Sequence, residues 1–124
     1  MNAVHAASAW PLELRLKKSE RVLHITFEDG ATFALPAELL RVFSPSAEVK
    51  GHGGRGGTLV AAKAAVGIDA VDPVGNYAVR LTFDDGHKTG LYTWAYLREL
   101  GEAQPRKWAE YEKALSASGL RREA

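Results

Sequence analysis

The residues with the most chemistry in this 124-residue chain are Asp84, Asp85 and His87, two carboxylates and an imidazole within four positions. Hard oxygens beside an imidazole make a fragment of a metal site, and Asp85 with His87 are the candidate ligands. The competing reading is a hairpin turn, Asp84-Asp85-Gly86, in which glycine supplies a positive φ and His87 opens the next strand. A second group is the run Gly51-His52-Gly53-Gly54-Arg55-Gly56-Gly57. Consecutive glycines turn backbone N–H groups toward an anion, and Arg55 adds charge. The lysine and hydroxyl of a phosphate loop are missing, however, so Gly51, His52 and Arg55 are expected to belong to a flexible interaction loop. Tyr77, Tyr92, Trp94 and Tyr96 offer stacking surfaces for bases, yet aromatics at helix–sheet junctions more commonly build core, and that reading is preferred. His24 lies between Leu23 and Ile25 and belongs on the open face of a strand, while His5 sits in a polar leading segment. No Ser–His–Asp set carries a recognisable local motif, so the chain is not expected to be an enzyme.

Composition narrows the classes further. The chain has no cysteine, which excludes disulfides, thiolate zinc sites, thiolate nucleophiles and cysteine-held iron–sulfur clusters. A formal net charge of +1 gives no reason to expect nucleic acid as a partner. The hydrophobic fraction of 46% and charged fraction of 25% are ordinary for a globular domain. No apolar run reaches the roughly 20 residues needed to span a bilayer. Neither a basic start nor an apolar stretch marks a signal peptide, and the expectation is a cytoplasmic protein with no membrane partner.

The elements that must position these residues come from periodicity. Leu12, Leu14 and Leu16 alternate with charged residues as a half-buried strand. Val22–Phe27 and Thr32–Leu35 read as a hairpin across Glu28-Asp29-Gly30, and Pro36 opens a helix over Ala37–Val42. Val66–Val71 alternates as another strand, with Asp72–Asn76 as a turn. Val79, Leu81 and Phe83, with Leu91 across the turn, form a second hairpin with one buried face. Thr93 caps a helix carrying Trp94, Leu97 and Leu100, Gly101 ends it, and Pro105–Ala117 is a last helix. An internal repeat is visible: Ile25-Thr26-Phe27-Glu28-Asp29-Gly30 is echoed by Leu81-Thr82-Phe83-Asp84-Asp85-Gly86. Leu35-Pro36 and Leu39-Leu40-Arg41 likewise match Leu91-Tyr92 and Tyr96-Leu97-Arg98. One hairpin–helix unit cannot cover its own apolar face, so two are expected to pack into one α+β domain with a largely antiparallel sheet and a C-terminal helix. The domain is drawn at residues 10–118, between flexible tails at 1–9 and 119–124.

Leu35-Pro36-Ala37-Glu38-Leu39-Leu40-Arg41 and Ser44-Pro45-Ser46, then Phe83-Asp84-Asp85-Gly86-His87 and Trp94-Ala95-Tyr96-Leu97, resemble the gamma-butyrobetaine hydroxylase-like N-terminal domain family from about Pro11 to Leu100. In such hydroxylases the domain precedes an iron- and 2-oxoglutarate-dependent oxygenase domain, which this chain lacks; related domains also stand alone or are joined to iron–sulfur carriers. The resemblance implies a non-catalytic accessory module connected with iron or iron–sulfur protein maturation, whose partner is an iron–sulfur carrier or an oxygenase. It also implies a departure. The family's zinc site uses three cysteines and a histidine, and those positions fall on Ser44, Ser46, Val49 and His87. Hydroxyls are poor zinc ligands and valine is none, so no cofactor is expected; His87 is instead expected to hydrogen-bond the Ser44–Ser46 segment. The alternative is a weak iron or zinc protein using His87 with Asp84, Asp85 or His52.

Overall fold

Leu23, Ile25 and Phe27 alternate with His24 and Thr26, and only the first three are wholly buried. The structure is a computed structural model that describes residues 10–45 and 59–123. The strand these residues form, β2 (Val22–Phe27), is the middle of an antiparallel sheet between β1 (Pro11–Lys17) and β3 (Thr32–Pro36). Helix α1 (Ala37–Val42) starts directly after Pro36, whose fixed φ of −63° suits that position. The pattern then recurs. β4 (Ile68–Val74), β5 (Ala78–Phe83) and β6 (Leu91–Thr93) form a second three-stranded antiparallel sheet, followed by α2 (Trp94–Glu102) and the final helix α3 (Gln104–Ala117). This is the α+β architecture expected, with two related halves. One continuous core joins them: Leu23, Ile25, Leu35 and Leu40 of the first half pack with Leu81, Phe83, Tyr92 and Leu97 of the second.

The duplication extends beyond a hairpin and a helix. The Glu28 N–H donates to the Trp10 carbonyl at 3.0 Å, and the Asp84 N–H to the Gly67 carbonyl at 2.9 Å. Register slips between Pro11 and Glu13 on β1 and, at the matching place, between Ile68 and Ala70 on β4. Each half is therefore three strands and a helix, bulge included. The bulge also carries Leu12 out of the alternation, leaving it 66% exposed where a half-buried position was expected.

Four further details depart from the sequence reading. Asp72-Pro73-Val74 continues β4, and the turn falls at residues 75–77. Pro73 is tolerated because β4 is an edge strand, where a missing N–H need not break the ladder. The matching of Leu35 with Leu91 slips by one: Leu35 lies opposite Leu23, whereas Tyr92 lies opposite Val79. Tyr92 is thus the buried residue and Leu91 only half-buried, since a one-residue slip exchanges the two faces. Gly101 does not end α2, which runs to Glu102 with Ala103 as its cap. Instead Gly101 lets the helix approach β3; a Cβ there would stand 2.5 Å from the Phe33 ring. Finally, in place of a loose end after Ser118, the Arg121 and Arg122 carbonyls accept N–H bonds from Ala62 and Ala64.

Gly101→Ala is expected to destabilise the fold by about 1–3 kcal/mol, because overpacking against the Phe33 ring outweighs the ~0.5–1 kcal/mol that alanine gains in a helix. Urea unfolding of the variant measures this, and equal or greater stability would contradict the close approach.

Candidate functional site

The two Asp-Gly turns are alike in detail. Gly30 and Gly86 take φ of +90° and +93°, which L-residues avoid. Asp29 accepts the Ala31 N–H at 3.1 Å, and Asp85 accepts the His87 N–H at 3.0 Å, so each aspartate braces its own turn. The outward oxygens then cross to the opposite half. Arg98 of α2 meets Asp29 through two bonds, Nη1–Oδ1 at 3.0 Å and Nη2–Oδ2 at 2.8 Å. Arg41 of α1 meets Asp85 through Nε–Oδ2 at 2.8 Å. Turn of the first half to helix of the second, and turn of the second to helix of the first, is a reciprocal arrangement such as a two-fold axis generates.

The two clasps differ in their surroundings. Arg98 lies over the Phe27 and Phe33 rings, 5.1 and 5.7 Å from their centroids, and bonds Glu102 at 2.8 Å. Its guanidinium is pushed above the usual arginine range by Asp29 first and Glu102 second. Asp29 is lowered in turn, by Arg98 and then by the Ala31 N–H. At Asp85 the clasp gains Lys63, whose Nζ lies 2.6 Å from Oδ2. Burial works to raise the Asp85 carboxyl, but the bonds from Lys63, the His87 N–H and Arg41 outweigh it and hold the group at about 2. Arg41 keeps a buried Nη1 with no partner among the described residues, so its pairing there is less complete than that of Arg98.

His87 sits behind this clasp. Its Nε2 is 2.9 Å from the Ser44 hydroxyl, and both residues are buried, Ser44 at 1% exposure. The expected hydrogen bond between His87 and the segment after α1 is present. The Ser44 hydroxyl also bonds the Tyr92 phenol, while Tyr92 Oη donates to the Leu40 carbonyl and Tyr96 Oη to the Phe43 carbonyl. These tyrosines satisfy carbonyls at the open C-terminal end of α1. Burial pushes Tyr92 well above the usual phenol range and Tyr96 up to about 12, so both are hydrogen-bond donors at every physiological pH. Tyr92 and Tyr96 are thus structural, and Trp94 likewise donates Nε1–H to the Asn76 carbonyl at 2.9 Å. Tyr77, by contrast, is 51% exposed and does not join the core as expected.

What this arrangement can do chemically is limited. A serine hydroxyl buried to 1% presents no nucleophile to a substrate. The donors do not fit the zinc centre that the resemblance implies: Ser44 and His87 are bonded to each other, and the Asp85 carboxylate faces two cations. Asp84 is exposed, at the rim of a crevice of about 380 Å³ lined also by Arg21, Lys63 and Glu123. No group of three or more His, Cys, Asp or Glu suited to a metal occurs among the described residues. Gly51, His52 and Arg55 of the expected interaction loop, with Ser46 and Val49, lie outside the described residues. His24 is half-buried on the outer face of β2, opposite Arg15 and Ala34.

Sequence reasoning missed Glu38. It is 95% buried (5% exposed) and held by Arg122 through two bonds of 2.9 Å, with the Arg122 guanidinium 4.9 Å from the Trp108 ring centroid. Glu38 follows the helix-opening proline, a position where acid is so common that nothing marked it as buried. The Asp29–Arg98 and Asp85–Arg41 pairs were visible only as matched letters in the repeat.

Fold and site together define a class: a duplicated α+β module whose polar cluster fastens one half to the other. The chain belongs to the gamma-butyrobetaine hydroxylase-like, N-terminal family, whose model matches residues 14–98 and so spans both clasps. Two NMR solution structures share the fold. One is 43% identical with a TM-score of 0.80, covering 92% of this chain and 90% of its own. The other is 50% identical with a TM-score of 0.78, covering 91% and 84%. A crystal structure of a DUF971-family protein of unknown function from Acidithiobacillus ferrooxidans ATCC 23270 is 41% identical, with a TM-score of 0.65 over 77% of this chain and 96% of that one. No curated protein matches.

Asp85→Asn should cost on the order of 1–3 kcal/mol, since it leaves Arg41 and Lys63 without their carboxylate. The native Asp85 pKa of about 2 lies below the ordinary value of 3.8. Its stabilisation is therefore complete above pH 4 to 5 and is lost as pH falls toward 2. Denaturant midpoints measured across that window should fall less steeply in Asp85→Asn than in the wild type; parallel curves would refute the clasp.

Proposed function

We propose that this chain is a non-catalytic accessory module that acts by binding another protein. The observation that supports it most directly is that the residues with chemistry are spent within the fold. His87 is bonded to Ser44, and Asp85 to Arg41 and Lys63. Residues committed in this way organise a surface instead of turning over a substrate. The family's description as the N-terminal part of hydroxylase-like proteins fits a role beside a separate catalytic or carrier protein. On that pattern the partner is an oxygenase or an iron–sulfur carrier, and the process is iron or iron–sulfur protein maturation. Nucleic acid and membrane are not its partners on this reading: the net charge is +1, and no helix among the described residues is long and apolar enough to cross a bilayer.

Calorimetric titration with Fe²⁺ and Zn²⁺ is expected to give no stoichiometric site, with the same result for His87→Ala. A one-to-one, chelator-sensitive metal that is lost in His87→Ala would replace this reading with a metal-binding one. Turnover of a small molecule by the isolated chain would end it.

A further inference from the structure

The duplication supplies an internal control for the surface, because β1 and β4 are equivalent edge strands. Edge strands expose unpaired backbone groups, and proteins usually blunt them. β4 is blunted: Pro73 lies within it, and acidic Asp69 and Asp72 are exposed along it. β1 is not. Its only proline, Pro11, is its first residue. At the bulge, where β4 carries Asp69, β1 carries Leu12, 66% exposed; and Trp10, 44% exposed, stands where the other half has Gly67.

The sequence of β1, Pro-Leu-Glu-Leu-Arg-Leu-Lys, is also complementary to itself. Laid antiparallel against a second β1 about a two-fold axis through Leu14, its regular part beyond the bulge sets Glu13 opposite Arg15 twice. No like charges face one another. Moving the axis to Glu13 opposes two glutamates, and moving it to Arg15 opposes two arginines; centring it between residues brings the core face of one strand against the solvent face of the other. Among the described residues neither Glu13 nor Arg15 has an ion pair within the chain, so both are available.

We propose that the β1 edge pairs with β1 of a second copy of this chain, joining two three-stranded sheets into one six-stranded sheet across a two-fold axis at Leu14. This goes beyond the accessory reading and does not depend on it. The two Glu–Arg pairs set the register. Seven residues a side bury less than the ~1,000 Å² of a durable interface, so the dimer is transient, with a Kd on the order of 0.1 mM.

Sedimentation equilibrium over concentrations from about 10 µM to 1 mM spans that range. The wild type is expected to pass from monomer to dimer. Glu13→Arg and Arg15→Glu are each expected to weaken the dimer at least about tenfold, the combined swap to restore it, and Asp72→Arg on the equivalent edge to leave it unchanged. Circular dichroism of each variant checks that the exposed substitutions leave the fold intact. A monomer throughout the range overturns the proposal, as does a dimer that ignores both charge reversals or one that the double swap fails to restore.

Discussion

Everything about the arrangement of this molecule follows from one reciprocal contact, an aspartate in each glycine turn held by an arginine on the other half's helix. Neither half encloses its own apolar face, so the core between them needs a fixed register, and hydrophobic burial alone supplies little direction. Arg98 on Asp29 and Arg41 on Asp85 supply it at two points, one on each side of the shared interior. Because each aspartate also accepts a backbone N–H of its own turn, the ion pair and the turn stand or fall together. Charge-assisted bonds of this kind are worth more for specificity than for net stability.

The halves have diverged around that shared frame. The first clasp is a bidentate pair stacked on two phenylalanines. The second has recruited Lys63 and is backed by Ser44, His87 and Tyr92. The extra residue in the second hairpin loop explains part of this, since it places a tyrosine where the first half has Leu35. Tyr92 and Tyr96 then reach across to the last carbonyls of α1. A helix of six residues has few internal bonds, so satisfying its open end from the opposite half ties its order to the assembly of the whole.

The strands and helices were largely legible because they rest on local periodicity, and the repeat was legible because Thr-Phe-acid-Asp-Gly is distinctive in both copies. The failures have physical causes. Pro73 reads as a turn residue unless the strand is known to be an edge, which only pairing reveals. Gly101 reads as a helix stop, because its true reason is the Phe33 ring, distant in sequence. Leu12 alternates correctly in the sequence, yet a bulge set by the partner strand ejects it. At the site, His87 to Ser44 was anticipated from the resemblance, whereas the commitment of Asp85 to Arg41 required the fold, since 44 positions separate them.

The link between Arg122 and Glu38 spans 84 positions and closes the first helix with nearly the last described residue. During synthesis the buried carboxylate of Glu38 thus emerges long before its guanidinium. A nascent chain must hold that acid in water until residue 122 has emerged. Consolidation of the first helix therefore waits on a residue 84 positions downstream, whichever half collapses first.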